Sequence, residues 1–323
     1  MRIILLLTCI VGLSTLASAE LLKVSLTPAG GHVDINIGPQ LVATYVWDDA
    51  VITRPYFANV CALDGTPVTR SHPPDAVLDK GNDDHATFHP GLWLAFGDVS
   101  GADVWRLKSR VRHVDFKVVP RKDQFLAGFR VSNSYETLEV PAKMLADEVC
   151  DYTVVADHDG YFLFSRSTFT AKDEPIVFGD QEEMGFGVRL ATGISVKRGG
   201  SILNSNGGVN EAGTWGKSAL WCSAYGPSKG ETAGIVLMPG PSNFRASWFH
   251  SRDYGLVVAN PFAKKSMTAP EDPDAPPDKT VVEPGKTLQL EFGVYVFSNA
   301  GGSPPDAAGK YQRFTELLHA SKH

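Results

Sequence analysis

The chain has 323 residues, of which 43% are hydrophobic, 10% aromatic and 20% charged. This apolar fraction is enough for a large buried core and excludes an intrinsically disordered protein. Lysines and arginines number 30 against 36 aspartates and glutamates, so the net charge is −6. A chain without a basic field does not attract a phosphate backbone, and we expect no nucleic-acid partner.

The N-terminus has the three regions of a secretory signal peptide. Arg2 gives the positive end, residues 3–16 form an apolar stretch, and Ala17-Ser18-Ala19 is a cleavage site of the A-x-A type. The stretch is shorter than the roughly 20 residues that span a bilayer, and no later run is long enough. We therefore expect cleavage after Ala19, a single domain over residues 20–323, and a periplasmic or secreted protein without a membrane partner.

Three cysteines remain after this cleavage, and dozens of residues separate them. Cys61, Cys150 and Cys222 allow at most one internal disulfide, and they do not form a C-x-x-C zinc pattern. We expect buried thiols rather than a disulfide framework.

Short segments with alternating or β-rich sequence, bounded by Gly, Pro, Asn or Asp, predict strands along most of the chain. After them, residues 305–321 place apolar side chains at helical spacing. The acidic, proline-rich residues 270–278 predict a surface loop and lack the spacing of a calcium-binding loop. The fold class is therefore all-β, a large β-sandwich with one C-terminal helix. The predicted strands are residues 32–37, 41–47, 112–119, 137–140, 161–170, 176–178, 234–238, 256–259 and 288–297.

Residues 83–93 concentrate two carboxylates, two imidazoles and an indole in eleven positions. His85 and His89 stand at i and i+4, which on a helix would suit a metal, but Pro90 disfavours a helix at His89. A loop that presents His85 for proton transfer beside a carboxylate fits better. The alternative is a pair of histidines bonded to the backbone of a tight turn.

Residues 180–189 collect acidic side chains beside an arginine. Glu182 and Glu183 point to opposite faces if the segment is extended, so only one of them faces a cleft. We favour Glu183 as a general acid or base, with Arg189 binding an anionic or polyhydroxyl group. A surface salt bridge is the alternative.

Residues 248–262 place aromatic side chains beside Arg, His and Asn, a composition typical of sugar binding. Aromatic and arginine side chains also occur upstream, among them Arg54, Tyr56 and Trp93. We assign Trp47, Trp215 and Trp221 to the core. P-loop, G-x-S-x-G and strand-linked G-x-G-x-x-G motifs do not occur, so we expect no cofactor. The predicted ligand-binding residues are Arg54, Tyr56, His89, Trp93, Arg189, His250, Arg252, Tyr254 and Asn260.

Three blocks spaced across the chain belong together. They are 84–105, with Asp84-His85 and Gly91-Leu92-Trp93, then Glu182 to Arg189, then Arg252-Asp253-Tyr254-Gly255 with Asn260-Pro261-Phe262, together with Arg54-Pro55-Tyr56. These blocks resemble one exported bacterial family of unknown function, often labelled PmoA or "methane oxygenase". Many members carry a block of the type Asp-His-Pro-His-His-Arg before Gly-Leu-Trp, whereas this chain has His85-Ala-Thr-Phe-His89-Pro90. A methane monooxygenase subunit spans the membrane, so we do not extend that activity to this chain.

The resemblance implies a galactose-mutarotase-like supersandwich and a carbohydrate ligand. The leading hypothesis is a carbohydrate-active enzyme, a hydrolase, lyase or epimerase, in which His85 and Glu183 form the acid/base pair. A glycan-binding protein without catalysis is the second hypothesis. A metal-dependent enzyme that uses His85 and His89 is the third, and we expect no metal.

Overall fold

The structure is a computed structural model that describes residues 21–268, 274, 276–299 and 302–321. The predicted signal peptide and part of the predicted loop 270–278 lie outside these residues. In chain order the strands are β1 (Val24–Ala29), β2 (His32–Ile37), β3 (Gln40–Val46), β4 (Tyr56–Ala58), β5 (Leu92–Phe96), β6 (Ser109–Val119), β7 (Leu126–Thr137), β8 (Met144–Asp157), β9 (Gly160–Thr170), β10 (Ile176–Phe178), β11 (Met184–Arg189), β12 (Ser201–Asn204), β13 (Lys217–Ser218), β14 (Cys222–Ser228), β15 (Glu231–Pro239), β16 (Trp248–Arg252), β17 (Leu256–Asn260), β18 (Thr280–Val282) and β19 (Thr287–Asn299). The helices are α1 (Asn210–Thr214) and α2 (Ala307–Ala320).

Two large antiparallel sheets form the body of the protein. The first sheet has nine strands in the order β1-β2-β3-β4-β5-β11-β17-β16-β13. The second has eight strands in the order β12-β14-β15-β19-β9-β8-β7-β6, and β10 pairs separately with β18. Distant parts of the chain therefore become neighbours in each sheet.

The alternating pattern of the strands places their apolar side chains between the sheets. In β2, Val33, Ile35 and Ile37 are buried while the residues between them are partly exposed. Across the core, the ring of Phe186 in β11 stacks on that of Phe292 in β19, with centroids 5.5 Å apart. The two sheets thus share one apolar core, as in a β-sandwich.

The C-terminal helix α2 covers the other face of the second sheet. Asp306 caps it by accepting a hydrogen bond from the Ala308 amide at 3.1 Å. Phe314, Leu317 and Leu318 are buried there against the strands. The predicted all-β sandwich with one C-terminal helix is confirmed.

Most predicted strands are confirmed with small differences at their ends, but the strand predicted at 137–140 is wrong. β7 ends at Thr137, and Leu138 and Val140 are exposed in the turn that leads to β8. Pro141, which lacks an amide hydrogen, follows directly and cannot continue a sheet ladder. The expected buried thiols are confirmed, since Cys61, Cys150 and Cys222 are free and buried.

Candidate functional site

The candidate site lies on the outer face of the first sheet, the face turned away from the second sheet. The pairing of β5, β11, β17 and β16 aligns Trp93, Gly187, Val258 and His250 in one row across this face. A Cβ atom on Gly187 would lie 2.7 Å from Cζ2 of Trp93, so glycine is what lets the indole lie on the sheet. The site residues come from stretches far apart in the sequence.

A loop between β4 and β5 carries Asp84 and His85 over one end of this face. His85 has a φ of 51°, and its Nδ1 lies 2.5 Å from Oδ2 of Asp84. Both side chains are about half exposed, at 50% and 45%. The imidazole is therefore oriented by a carboxylate and half exposed, and its role in proton transfer stays a prediction.

Buried Arg70 holds the backbone of this loop in place. Its Nη1 donates to the carbonyl oxygens of Asn82 at 2.6 Å and Asp84 at 2.8 Å. Its Nη2 donates to the carbonyls of His89 at 3.3 Å and His85 at 3.4 Å. One guanidinium thus orders the segment that contains both histidines.

Arg189, the last residue of β11, connects the loop to the sheet. Its Nη2 donates to Asn82 Oδ1 at 2.7 Å and to Asp84 Oδ1 at 2.6 Å, and its guanidinium lies 4.2 Å from the ring centroid of Tyr254. Partial burial alone would raise the pKa of Asp84. The hydrogen bond from His85 and the charge of Arg189 outweigh it and lower that pKa.

Arg54 is a third buried arginine beneath the loop. It donates to the carbonyls of Trp105 at 3.1 Å and Phe88 at 2.5 Å, and its guanidinium lies 5.8 Å from the Trp93 ring centroid. Burial lowers its pKa to about 9. The side chain stabilises the loop from below and is not available at the surface.

The two histidines and Trp93 form a stack that runs from the surface to the sheet. The ring centroids of His85 and His89 are 5.0 Å apart, and those of His89 and Trp93 are 5.2 Å apart with an 8° interplanar angle. Burial, followed by the charges of Arg189 and other nearby cations, lowers the pKa of His89 well below its usual value. Neutral His89 therefore covers the Trp93 indole, whose Nε1 has no partner in the described part of the chain.

A second group of charged residues lies at the opposite end of β11. Glu183 binds Arg106 through a short ion pair, and Arg106 also contacts Asp103 Oδ2 at 3.1 Å. The side chain of Glu183 is 28% exposed. Glu183 thus forms a salt bridge, which was the alternative to its predicted role as a general acid or base, and the residue also faces solvent.

Glu182, the residue before Glu183, turns toward β16. Its Oε2 lies 3.3 Å from Nη2 of Arg252, and Nη1 of Arg252 donates to Glu211 Oε1 at 2.9 Å. The Arg252 guanidinium lies 5.5 Å from the ring centroid of Trp215. Two glutamates therefore share one arginine beside an aromatic ring.

His250 lies under this second group and is almost fully buried. Its Nδ1 is 3.1 Å from the carbonyl oxygen of Glu182, so Nδ1 carries the hydrogen and donates. Burial first, and then the charge of Arg252, lower its pKa to about 4, although the nearby carboxylates of Glu183 and Glu211 act in the opposite direction. His250 is neutral, and its Nε2 is an acceptor without a partner among the described residues.

Two other predicted ligand-binding side chains make hydrogen bonds within the protein. The Tyr56 hydroxyl donates to Asp49 Oδ2 at 2.8 Å, and burial raises its pKa. Asn260 Nδ2 donates to the carbonyl of Gln181 at 2.7 Å, and its Oδ1 accepts from the Phe262 amide at 2.8 Å. Their role toward a ligand stays a prediction.

The structure brings most predicted site residues to one face but does not bring His85 and Glu183 together. His85 is tied through Asp84 to Arg189, whereas Glu183 precedes the first residue of β11. Five residues lie between Glu183 and Arg189, so their Cα atoms are at most roughly 20 Å apart, the length of a fully extended segment. The face therefore has two ends with different chemistry.

Sequence reasoning missed the residues that support these two ends. Arg70 and Arg106 lie outside the clusters that were singled out, and Glu211 belongs to the short helix α1. Each acts through contacts over long sequence distances, such as the 77 residues between Arg106 and Glu183. A local pattern carries no signal for such pairs.

No group of three His, Cys, Asp or Glu side chains in the described ranges is arranged to hold a metal ion. His85 and His89 lie one over the other, with 21° between their ring planes, rather than both facing one point. Likewise, within those ranges no helix has the length and apolar character needed to cross a bilayer.

Comparison with known proteins gives a family without an assigned activity. The model of DUF6807, described as a family of unknown function, matches residues 32–311. No curated protein matches the sequence. The match supports the predicted kinship with a family of unknown function, and the PmoA label stays a prediction.

Similar solved structures include two bacterial proteins. Galactose 1-epimerase from Lactobacillus acidophilus NCFM has 9% identity and a TM-score of 0.42, over 86% of this chain and 99% of that chain. The α-galactosidase from Lactobacillus brevis has 8% identity and a TM-score of 0.35, and the match covers 86% of this chain and 39% of that one. Neither likeness extends to a ligand or a reaction of this chain.

Proposed function

The chain belongs to DUF6807, a family of unknown function, and from its own site we propose that it is an exported carbohydrate-active enzyme in which His85 transfers a proton. The observation that carries the proposal is the series His85, Asp84 and Arg189, joined by contacts of 2.5 Å and 2.6 Å. Asp84 orients the imidazole, and Arg189 holds Asp84. The other ring nitrogen of His85 is left for a substrate.

A sugar is the substrate class that best suits the outer face that carries His85. Half-buried rings of Tyr254, Trp215 and Trp248 lie on or beside the same face as Arg252 and Glu182, so the assignment of Trp215 to the core is wrong. Aromatic rings pack on the C–H groups of a pyranose, and charged side chains bind its hydroxyls. Trp93 supports the site from beneath His89, because its own ring is 1% exposed.

Proton transfer is assigned to His85 with Asp84, and Glu183 is assigned to ligand binding. Glu183 is paired with Arg106 before the first residue of β11, whereas Asp84, which contacts His85, is bonded to Arg189 at its last residue. Hydrolysis, β-elimination and epimerisation each need a proton to be moved at the sugar, so the reaction type stays open among these three.

The test is mass spectrometry of neutral, amino and uronic oligosaccharides after incubation with the protein without residues 1–19. We expect new or rearranged products with this protein and with the control His319→Ala, which changes an exposed imidazole on α2. The variants His85→Ala and Asp84→Asn should give none while keeping their sugar affinity. Equal turnover by His85→Ala would contradict the assignment.

The second candidate function is glycan binding without catalysis. It is favoured by the rings of Tyr254 and Trp215 beside Arg189 and Arg252, since aromatic and charged side chains bind a sugar without any proton transfer. In that case sugars raise the melting temperature equally in wild type and His85→Ala, and no product mass appears.

A further inference from the structure

The end of the outer face around His250 contains hydrogen-bond acceptors that have no partner among the described residues. The ring of His250 is held by the Glu182 carbonyl, with Nδ1 as the donor, so Nε2 is restricted to accepting. The residue is 3% exposed, and Nε2 has no partner within the described chain. A buried acceptor left unpaired is destabilising, and a donor from a ligand would pair it.

The two glutamates beside His250 each have an oxygen to spare. Glu182 uses Oε2 for Arg252, and Glu183 uses Oε2 for Arg106. Neither Oε1 atom has a hydrogen bond to the residues that the structure describes. With the buried Nε2 of His250, three acceptor atoms of this group thus have no partner among the described residues.

The charges at this end are also unbalanced. Glu182, Glu183 and Glu211 face only two guanidinium groups, those of Arg106 and Arg252. Asp103, which also contacts Arg106, lies 3.7 Å from Lys108 and does not change the balance. Each glutamate contacts a guanidinium, but three carboxylates share two of them, and the three glutamate side chains are 28% to 37% exposed.

We propose that this end of the site binds the primary ammonium group of an amino sugar, with Glu182, Glu183 and His250 Nε2 as its three acceptors. An ammonium group has three donors and no acceptor, and it brings the single positive charge that the glutamates lack. A hydroxyl would supply one donor and no charge. A carboxylate would add a second negative charge to the excess.

His250 stays an acceptor because it does not become protonated at neutral pH. Its ring is buried and lies next to Arg252, and its donor nitrogen is used by a backbone carbonyl. A protonated imidazole would instead repel an ammonium group. The neutral tautomer therefore gives this subsite its preference for a donor.

The proposal rests on the proposed function, since it names the class of sugar for the same face. The test is calorimetric titration at low ionic strength with three matched sets of oligosaccharides, in the gluco and galacto series. The sets carry an ammonium, a hydroxyl or an N-acetyl group at C2. We expect the amino sugars to bind about tenfold more tightly than the neutral ones, with the gain shrinking as salt is added.

Two variants localise this gain. Glu183→Gln keeps the shape of a half-buried side chain and removes its charge, and His250→Asn keeps a donor for the Glu182 carbonyl but removes Nε2. Both should bind amino and neutral sugars alike. The control Glu174→Gln, at a 74% exposed glutamate paired with Lys143, should keep the preference. Circular dichroism verifies the fold of each variant.

The outcomes separate the two proposals. Equal affinity for amino, neutral and N-acetylated sugars overturns the ammonium subsite and leaves a sugar-binding face intact. A preference that survives in both Glu183→Gln and His250→Asn also overturns it, because the ammonium is then bound elsewhere. Binding of none of the sugars overturns both this inference and the proposed function.

Discussion

Asp84 Oδ1 lies 2.6 Å from Arg189 Nη2, so a half-exposed loop carboxylate is bonded to a guanidinium that is fully buried at the end of β11. The same carboxylate contacts His85 through its other oxygen. The position of the imidazole therefore depends on the sheet and not only on its own loop. A ligand that contacts His85 therefore contacts an imidazole whose position is fixed by Asp84 and Arg189.

The first prediction concerns Arg189→Met. The variant loses the bonds to Asn82 and Asp84 and should lower the free energy of unfolding by about 2 to 4 kcal/mol, because buried charged hydrogen bonds are lost together. Urea denaturation measures it. Arg313→Met, which removes an exposed pair with Glu316, should cost less than about 1 kcal/mol. Equal losses would show that Arg189 does not anchor the loop.

The second prediction concerns Gly187→Ala. The added Cβ would lie 2.7 Å from Cζ2 of Trp93, so the indole must move, at a cost of about 1 to 3 kcal/mol. Near-ultraviolet circular dichroism should report the moved ring, and denaturation should report the cost. At Gly193 no atom lies within 4 Å of an added Cβ, so Gly193→Ala is the matched control. An unchanged spectrum for Gly187→Ala would refute the close packing.

The third prediction concerns the anchoring of α2. Phe314 is fully buried against the second sheet, with its ring centroid 5.9 Å from that of Phe164. Phe314→Ala should reduce the free energy of unfolding by about 3 to 5 kcal/mol through lost burial and the cavity left behind. Gln312→Ala, on the exposed side of the same helix, should have little effect. Similar effects of the two changes would mean that α2 is not part of the cooperative unit.

The fourth prediction concerns pH. The pKa of His250 is about 4 in the folded protein against 6.5 for a free imidazole, so the unfolded chain binds more protons between these values. The contribution of neutral His250 to the free energy of unfolding is complete above pH 6.5 and is lost as the pH falls toward 4. Melting temperatures from pH 7 to pH 4 should therefore fall more steeply for wild type than for His250→Asn. Parallel curves would mean that His250 titrates normally.

The sequence predicts β2, whose residues alternate cleanly, and it misses β8, in which polar residues are buried. β2 was predicted with its correct ends because Val33, Ile35 and Ile37 alternate with polar residues. β8 was not predicted, since Asp147, Glu148 and Asp151 interrupt its pattern. Glu148 is 4% exposed and accepts a hydrogen bond from Asn133 at 2.9 Å, a pairing across strands that local periodicity cannot show.

The site shows the same division between local and distant information. Asp84 and His85 are neighbours in the chain, so a carboxylate that orients an imidazole could be anticipated. The hydrogen bonds from Arg70 to the carbonyl oxygens of these two residues could not be anticipated, because they depend on how the loop returns to the sheet. The predicted pair His85 and Glu183 is not in contact. Glu183 precedes the first residue of β11, whereas His85 is connected through Asp84 to its last residue, and the residue pattern does not show strand direction.

The position of β19 has a consequence for how the protein is made. This strand, formed by Thr287–Asn299, pairs with β15 on one side and with β9 on the other. The second sheet thus stays divided into two parts until residues 287–299 have left the ribosome. A nascent chain that stops before residue 287 exposes two unpaired strand edges to aggregation and to chaperones.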